Sequence, residues 1–524
     1  MNTQTHLISI YKKSIFNKMT HITSESNNSD YWTVGTKIIF KPHFNDILEK
    51  YHVLMQNYSE IYFSNYEDFD TFIKIHENSF LSKSVYKKYV SNKFNRYIEN
   101  LPNNITHLVI SNEYNRSIIN LPTSIKYFKI GDSYEHRIPL LPEGLTHLIL
   151  GSRCMSGLSK LPSTLEYFNM SGLTESLYNS NNRILPSGLK TLIVGPRYEK
   201  SLPELPSGLL HLEFVDKNNE CLFNFKNIYE FPKSLEYLIF SKLSRFDEPI
   251  NLSERLLHLE FGNDFNHNLP MLPSTLRTLI FGLLYDKSFD YSLPPNLKTL
   301  VFGNCFNKQL DKLPPGLENL KFGYKYNHPI SEFPESLKVL IFGHKFNQVL
   351  RFLPENLQHL ELGHDFDYEL ETLPNLKYLS VGSNMNIINQ LPNSIIELKL
   401  TGRFNMKIDN LHYGLEKLSL CDLNYSYDIN YIARYRSNLR DVGYGHIFFS
   451  NELHLNPNAI FYSKQMTFNE ELNCLPNTLV ELSLNINYNK KILSFPPSLK
   501  KIKFYFAYEY KNDFSEYEIE EYCY

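Results

Sequence analysis

Residues 313–332, LPPGLENLKFGYKYNHPISE, are followed at 333–352 by FPESLKVLIFGHKFNQVLRF and at 353–372 by LPENLQHLELGHDFDYELET. The three segments align without a gap, so the backbone adopted by one must be repeated directly beside it by the next. Numbered from its Leu-Pro, a unit reads L-P-x-x-L-x-x-L-x-F-G-x-x-F-N-x-x-I-x-x, with apolar residues at positions 1, 5, 8, 10, 14 and 18. Units begin at Leu101, Leu121, Leu141, Leu161, Leu185, Leu205, Phe231, Leu252, Leu272, Leu293, Leu313, Phe333, Leu353, Leu373, Leu391, Leu411, Leu475 and Phe495. Between Leu411 and Leu475 the letters fade, yet Leu439, Val442 and Gly445 fit positions 5, 8 and 11 of a unit from Tyr435. Phe468, Asn469 and Leu472 likewise fit positions 14, 15 and 18 of one from Leu455. The total is about twenty units, with half of another ahead of them, since Phe94, Asn95 and Ile98 are in phase with a start at Leu81.

A period of about 20 residues built on L-x-x-L-x-L is the mark of a solenoid in which each unit makes one coil. There is room for one short strand, at positions 7 to 10, and for turns, but not for a full helix as well. Side chains at 8 and 10 then point inward and those at 7 and 9 outward, and strands of neighbouring coils pair in parallel. Proline stands at position 2 in sixteen of the twenty units, where its fixed φ and missing N–H suit a corner. Glycine at position 11, as in Gly262, Gly303, Gly323, Gly343 and Gly363, is expected to end the strand at a tight turn. Position 14 is an inward aromatic, as in Phe306, Tyr326 and Phe346. Position 15 is often Asn, as in Asn266, Asn307, Asn327 and Asn347, whose amide can satisfy backbone groups and bond to stacked copies of itself.

These units, with F-N-x-x-I/L-x-x-L-P at the joins, resemble the FNIP repeat family, relatives of leucine-rich repeats found chiefly in amoebae and the giant viruses that infect them. The resemblance covers about four-fifths of the chain. It implies a β-rich, leucine-rich-repeat-like solenoid, a right-handed stack of about twenty coils that binds proteins. Many members add an N-terminal F-box that docks a substrate adaptor onto a ubiquitin ligase. Residues 101–514 are therefore read as the solenoid, 1–100 as a non-repetitive, partly helical N-terminal region and 515–524 as an acidic aromatic tail.

In the N-terminal region, NDILEKYHVLMQ sets Ile47, Leu48, Tyr51, Leu54 and Met55 on one helical face after Asn45 as cap, and DFDTFIKIHE predicts a second helix. Such helices can cover the first coil. The same residues can be read as a degenerate F-box, although no helical trio led by Leu-Pro opens the chain. The tail, YKNDFSEYEIEEYCY, can cap the last coil or hang free. The units at Leu161, Leu205 and Leu411 exceed the period by four, six and four residues, which must leave the stack as loops.

Composition narrows the function. A net charge of −3 offers no basic face for nucleic acid or an anionic membrane. Six scattered cysteines make no metal knuckle or redox motif and fit a reducing compartment, and no apolar run is long enough to span a bilayer. The expectation is a monomer in the cytoplasm, or in the host cytoplasm if the chain is viral.

Outward position 7 carries His107, His147, His211, His258 and His359, and three of these read His-Leu-Glu, ending at Glu213, Glu260 and Glu361. His and Glu at i and i+2 share a face, but His211 and His258 stand two coils apart, about 9–10 Å, too far for one ion. The reading is a solvated polar strip, with no metal and no cofactor. No nucleophile elbow, zincin helix, P-loop or dinucleotide fingerprint occurs, and an open sheet offers no cleft for converging carboxylates, so no enzyme is expected. The expected role is a non-catalytic scaffold for a protein partner, with a ubiquitin-ligase adaptor as the alternative. Its binding surface is drawn from Ile193, Ile239, His258, Glu260, Ile280, Val301, Lys321, Val339, Ile341, His359 and Glu361, an outward set rich in apolar residues.

Overall fold

The computed structural model describes residues 30–41, 43–63, 92–154, 160–172, 185–195, 204–216, 231–289, 291–310, 312–371, 373–382, 387, 391–401, 411, 414–420, 472, 475–484, 488–505, 510, 514 and 516–522. The chain divides into two compact units, residues 1–237 and 238–524.

The first unit opens with an antiparallel hairpin of β1 (Tyr31–Val34) and β2 (Lys37–Phe40), turning at Gly35 with φ +57°, a region glycine enters without strain. Then β3 (Glu60–Tyr62), β4 (His107–Val109), β5 (Tyr127–Lys129), β6 (His147–Ile149), β7 (Tyr167–Met170), β8 (Thr191–Val194) and β9 (His211–Phe214) follow in parallel, each beside its predecessor. The division between the units falls in β10 (Tyr237–Ile239).

The second unit continues with β11 (His258–Glu260), β12 (Thr278–Ile280), β13 (Thr299–Val301), β14 (Asn319–Lys321), β15 (Val339–Ile341) and β16 (His359–Glu361). It ends with β17 (Tyr378–Val381), β18 (Glu397–Leu400), β19 (Lys417–Ser419), β20 (Glu481–Ser483), β21 (Lys501–Tyr505) and β22 (Glu518–Tyr522). From β11 to β22 each strand pairs in parallel with the next.

The register sets like on like: Leu320 faces Leu300 on one side and Leu340 on the other. Positions 5, 8, 10 and 14 are inside, as Leu317, Leu320, Phe322 and Tyr326 show. Positions 10 and 14 stack face to face within a coil, with Phe322 and Tyr326 3.8 Å between centroids. They repeat as columns along the axis, Phe302 to Phe322 at 5.5 Å and Phe306 to Tyr326 at 6.0 Å. The Leu-Pro corner closes on itself: the N–H of Leu317 donates to the carbonyl of Pro314 at 3.1 Å.

The glycines of position 11 have a different cause from the one expected. A Cβ on Gly323 would lie inside the backbone of Gly303, and one on Gly343 inside that of Gly323. Glycine is required because successive coils touch backbone to backbone there, and among the described residues only Gly35 has a glycine φ in the left-handed region.

The stack also passes both boundaries read from the sequence. In the N-terminal region β2 pairs in parallel with β3 and β3 with β4, and Phe44 and Phe94 fill the place of position 14, stacked at 5.7 Å. The period was hidden because the strand Glu60–Tyr62 and its own Phe94 are separated by an insertion of about thirty residues, which lies mostly outside the described residues. Asn45 is not a helix cap: its Oδ1 accepts from the N–H of Asn95 at 3.0 Å. The helix that follows is a 3-10 turn over Leu48–Tyr51 and an α turn over His52–Met55, burying Leu48 and Met55 but leaving Ile47 exposed. The second helix, expected over 68–77, lies outside the described residues.

At the other end, the acidic residues read as a tail form β22, with Glu518 opposite Lys501 and their charged groups 3.1 Å apart. Strand pairing also runs directly from β19 to β20, Leu418 opposite Leu482, and the hydroxyl of Thr478 donates to the carbonyl of Leu415, 63 residues earlier, at 2.8 Å. No coil stands between them, so the units read from Tyr435 and Leu455 do not continue the stack at this point; their residues lie outside the described ones, apart from Leu472, which is buried. The extra residues of the units at Leu161, Leu205 and Leu411 also fall mainly outside.

Candidate protein-binding face

Each strand shows two side chains on the outer side of the sheet, at positions 7 and 9, and parallel register arranges them in two rows. In the second unit the position 9 row runs Ile239, Glu260, Ile280, Val301, Lys321, Ile341, Glu361. Beside it, position 7 runs His258, Thr278, Thr299, Asn319, Val339, His359. Ile280 and Val301 are therefore neighbours, Val339 and Ile341 lie on the next strand but one, and Lys321 separates the two apolar pairs. An acid closes the row on each side.

These residues are not freely exposed. With strands about 4.8 Å apart, each outward side chain leans on the copy above and below. His258 is 7% exposed, and in the first unit Ile193, between Asn169 and Glu213, is 8% exposed. Ile239, Glu260, Ile280, Val301, Val339, Ile341, His359 and Glu361 are half-buried, and only Lys321 of the set is exposed.

The three His-x-Glu sequences form pairs within their strands: Nε2 of His359 lies 2.9 Å from Oε1 of Glu361, that of His211 3.5 Å from Glu213, and that of His258 3.9 Å from Glu260. Burial works against the charge of Glu361, but the His359 hydrogen bond and the nearby Lys399 and Lys321 outweigh it, and the carboxyl is held below its ordinary range. The remaining position 7 histidines make a column with tyrosine: His107 stacks on Tyr127 at 5.5 Å and His147 on Tyr167 at 5.5 Å, while Tyr127 and His147 meet tilted at 5.8 Å.

Two sets of residues escaped the sequence reading. Hydroxyls at position 4 tie coil to coil, as Ser336 Oγ donates to the carbonyl of Leu317 at 2.7 Å and Thr275 Oγ1 to that of Leu256 at 2.8 Å. At the turn after the strand, His344 and His364 occupy position 12 of consecutive coils, with Asp365 at position 13. The signal was in plain view as the paired segments GHKF and GHDF, twenty residues apart. Burial pushes the His344 imidazole down to a pKa of about 4, despite the attraction of Asp365.

The FNIP Repeat family model matches residues 94–133, 285–325, 306–345, 326–365 and 346–384. The chain carries FNIP repeats. The match includes residues 94–133, so it reaches the Phe94 and Asn95 that complete a coil begun by β3. Among solved structures the chain is similar to CroV588, described as a novel circular LRR protein, with TM-score 0.55 and 24% identity over 92% of this chain and 77% of that one. YopM from Yersinia enterocolitica WA-314 gives TM-score 0.47 and 17% identity, covering 78% of this chain and 81% of its own. No curated protein matches the chain. The likeness to CroV588 establishes a leucine-rich-repeat-like fold for the FNIP array. Among the described residues no helix is long and apolar enough to cross a membrane.

Proposed function

We propose that this protein is a non-catalytic interaction scaffold that binds another protein across the outward rows of the FNIP stack. The observation that carries this reading is two apolar pairs on outward strand positions, Ile280 beside Val301 on neighbouring strands and Val339 with Ile341 on one strand, with Lys321 between the pairs and Glu260 and Glu361 at the ends. Apolar side chains with few charges among them are a common composition for a protein interface. The sheet that carries it is fixed by backbone bonding, so little ordering cost attends binding. An FNIP array of leucine-rich-repeat type fits the same use. A partner suited to this face presents apolar side chains between an acidic group for Lys321 and a basic group for Glu361.

The test compares the natural sequence with a Val301→Glu/Ile341→Glu variant as bait in cell lysate, after matching thermal stabilities. A protein retained by the natural sequence and lost from the variant supports the reading. Identical recovery by both overturns it.

A further inference from the structure

His344 and His364 stand one above the other where the chain leaves β15 and β16. Their rings are 4.8 Å apart between centroids and 7° from parallel. Asp365 joins them: its Oδ1 lies 3.1 Å from His364 Nδ1 and 3.5 Å from His344 Nδ1. One donor atom from each of the three residues falls within 4.8 Å of the others.

From these positions we infer that His344, His364 and Asp365 form a binding site for a divalent late first-row metal ion, of which Zn2+ is the best match. Two imidazoles and a carboxylate are a recurrent zinc donor set, leaving one tetrahedral position for water. Zn–N distances of about 2.05 Å place tetrahedral donors about 3.3 Å apart, so side-chain rotation of about an ångström closes the site.

The backbone beneath is already held. The N–H of Asp365 donates to the carbonyl of His344 at 3.1 Å, and Gly343 and Gly363 press against the preceding coil. Tyr324 packs on the far side of His344, with ring centroids 5.1 Å apart. The stack does not demand histidine at position 12, because Asn263, Leu283, Asn304 and Tyr324 occupy it in other coils. Lys345 Nζ sits 3.0 Å from the second oxygen, Oδ2, of Asp365. It orients the carboxylate as an outer partner does, while its positive charge opposes the ion.

The test uses the full chain, freed of metal by chelator and titrated with Zn2+ alone by calorimetry and with Co2+ alone by visible absorption. The site predicts one saturable equivalent and a Co2+ ligand-field band. His364→Gln and Asp365→Asn each weaken binding at least about tenfold, a loss that even outer partners of metal ligands can produce. His258→Gln, on the outward rows, leaves binding unchanged. Circular dichroism establishes that each variant is folded. Absence of a saturable equivalent, or equal affinity in the natural chain and both ligand variants, overturns the site. Neither result bears on the proposed protein-binding face, which needs no metal.

Discussion

The backbone N–H of Asn347 donates to the side-chain Oδ1 of Asn327, one coil earlier, at 2.9 Å. The same bond runs from Asn327 to Asn307 at 3.0 Å, from Asn307 to Asp286 at 2.9 Å and from Asp286 to Asn266 at 2.9 Å. Each of these bonds uses only the side-chain oxygen, so Asp serves as well as Asn, as Asp286 does between Asn266 and Asn307. Replacing Asn327 by Leu removes this acceptor and costs about 1 kcal/mol, whereas Asp at 327 keeps it. Hydrogen exchange at the Asn347 amide checks this: it quickens in Asn327→Leu and stays slow in Asn327→Asp.

Gly343→Ala puts a methyl group into the backbone of Gly323. Because backbone and not a flexible side chain must yield, the expected loss is about 1–3 kcal/mol. A thermal unfolding scan reads it as a lower midpoint, and an unchanged midpoint would show that the coils can separate there without cost.

Tyr326 sits in the aromatic column with its hydroxyl buried and without a hydrogen-bond partner among the described residues, and burial pushes its pKa up. Tyr326→Phe removes a desolvated group while the ring stays in place. Stability is expected to hold or rise by up to about 1 kcal/mol. A clear fall in the unfolding midpoint would mean that the hydroxyl is satisfied.

His344 gives the array a pH dependence of known sign. Its folded pKa of about 4 lies below the ordinary 6.5, so between these values the unfolded chain binds a proton that the folded chain does not. Stability therefore falls as pH drops from about 6.5 towards 4. Asp365 acts in a lower window: burial opposes its charge, but bonds from Lys345 and His364 prevail and hold its pKa below 3.8, so its contribution is lost only below that value. In chelator-containing buffer, His344→Gln is expected to lose less of its thermal midpoint than the natural chain between about pH 7 and about pH 4.5.

The core was legible because each of its positions repeats. Leu317, Leu320, Phe322 and Tyr326 return every period, and the parallel register follows from that repetition alone. Interruptions were not legible. Glu60–Tyr62 and Phe94 belong to one coil but are far apart in sequence, and Lys417 faces Glu481 across an insertion that the consensus appeared to fill. Charge explains part of what the period missed: Glu397, Lys417, Glu481, Lys501 and Glu518 alternate in sign down position 7 of consecutive strands. That positions 7 and 9 face outward follows from the alternation along each strand, but their half-buried state depends on strand spacing, which no single unit reveals. His344 and His364 become neighbours only once two coils are stacked.

The most direct test of the scaffold reading is site-specific photo-crosslinking of the full chain in cell lysate, with the photoreactive residue at Val301, Ile341 or, as control, Asn356 at the Leu-Pro corner. The account predicts one protein adduct shared by the Val301 and Ile341 probes and absent from the Asn356 probe. An adduct at Asn356 with none at the other two would place the partner elsewhere and contradict the account.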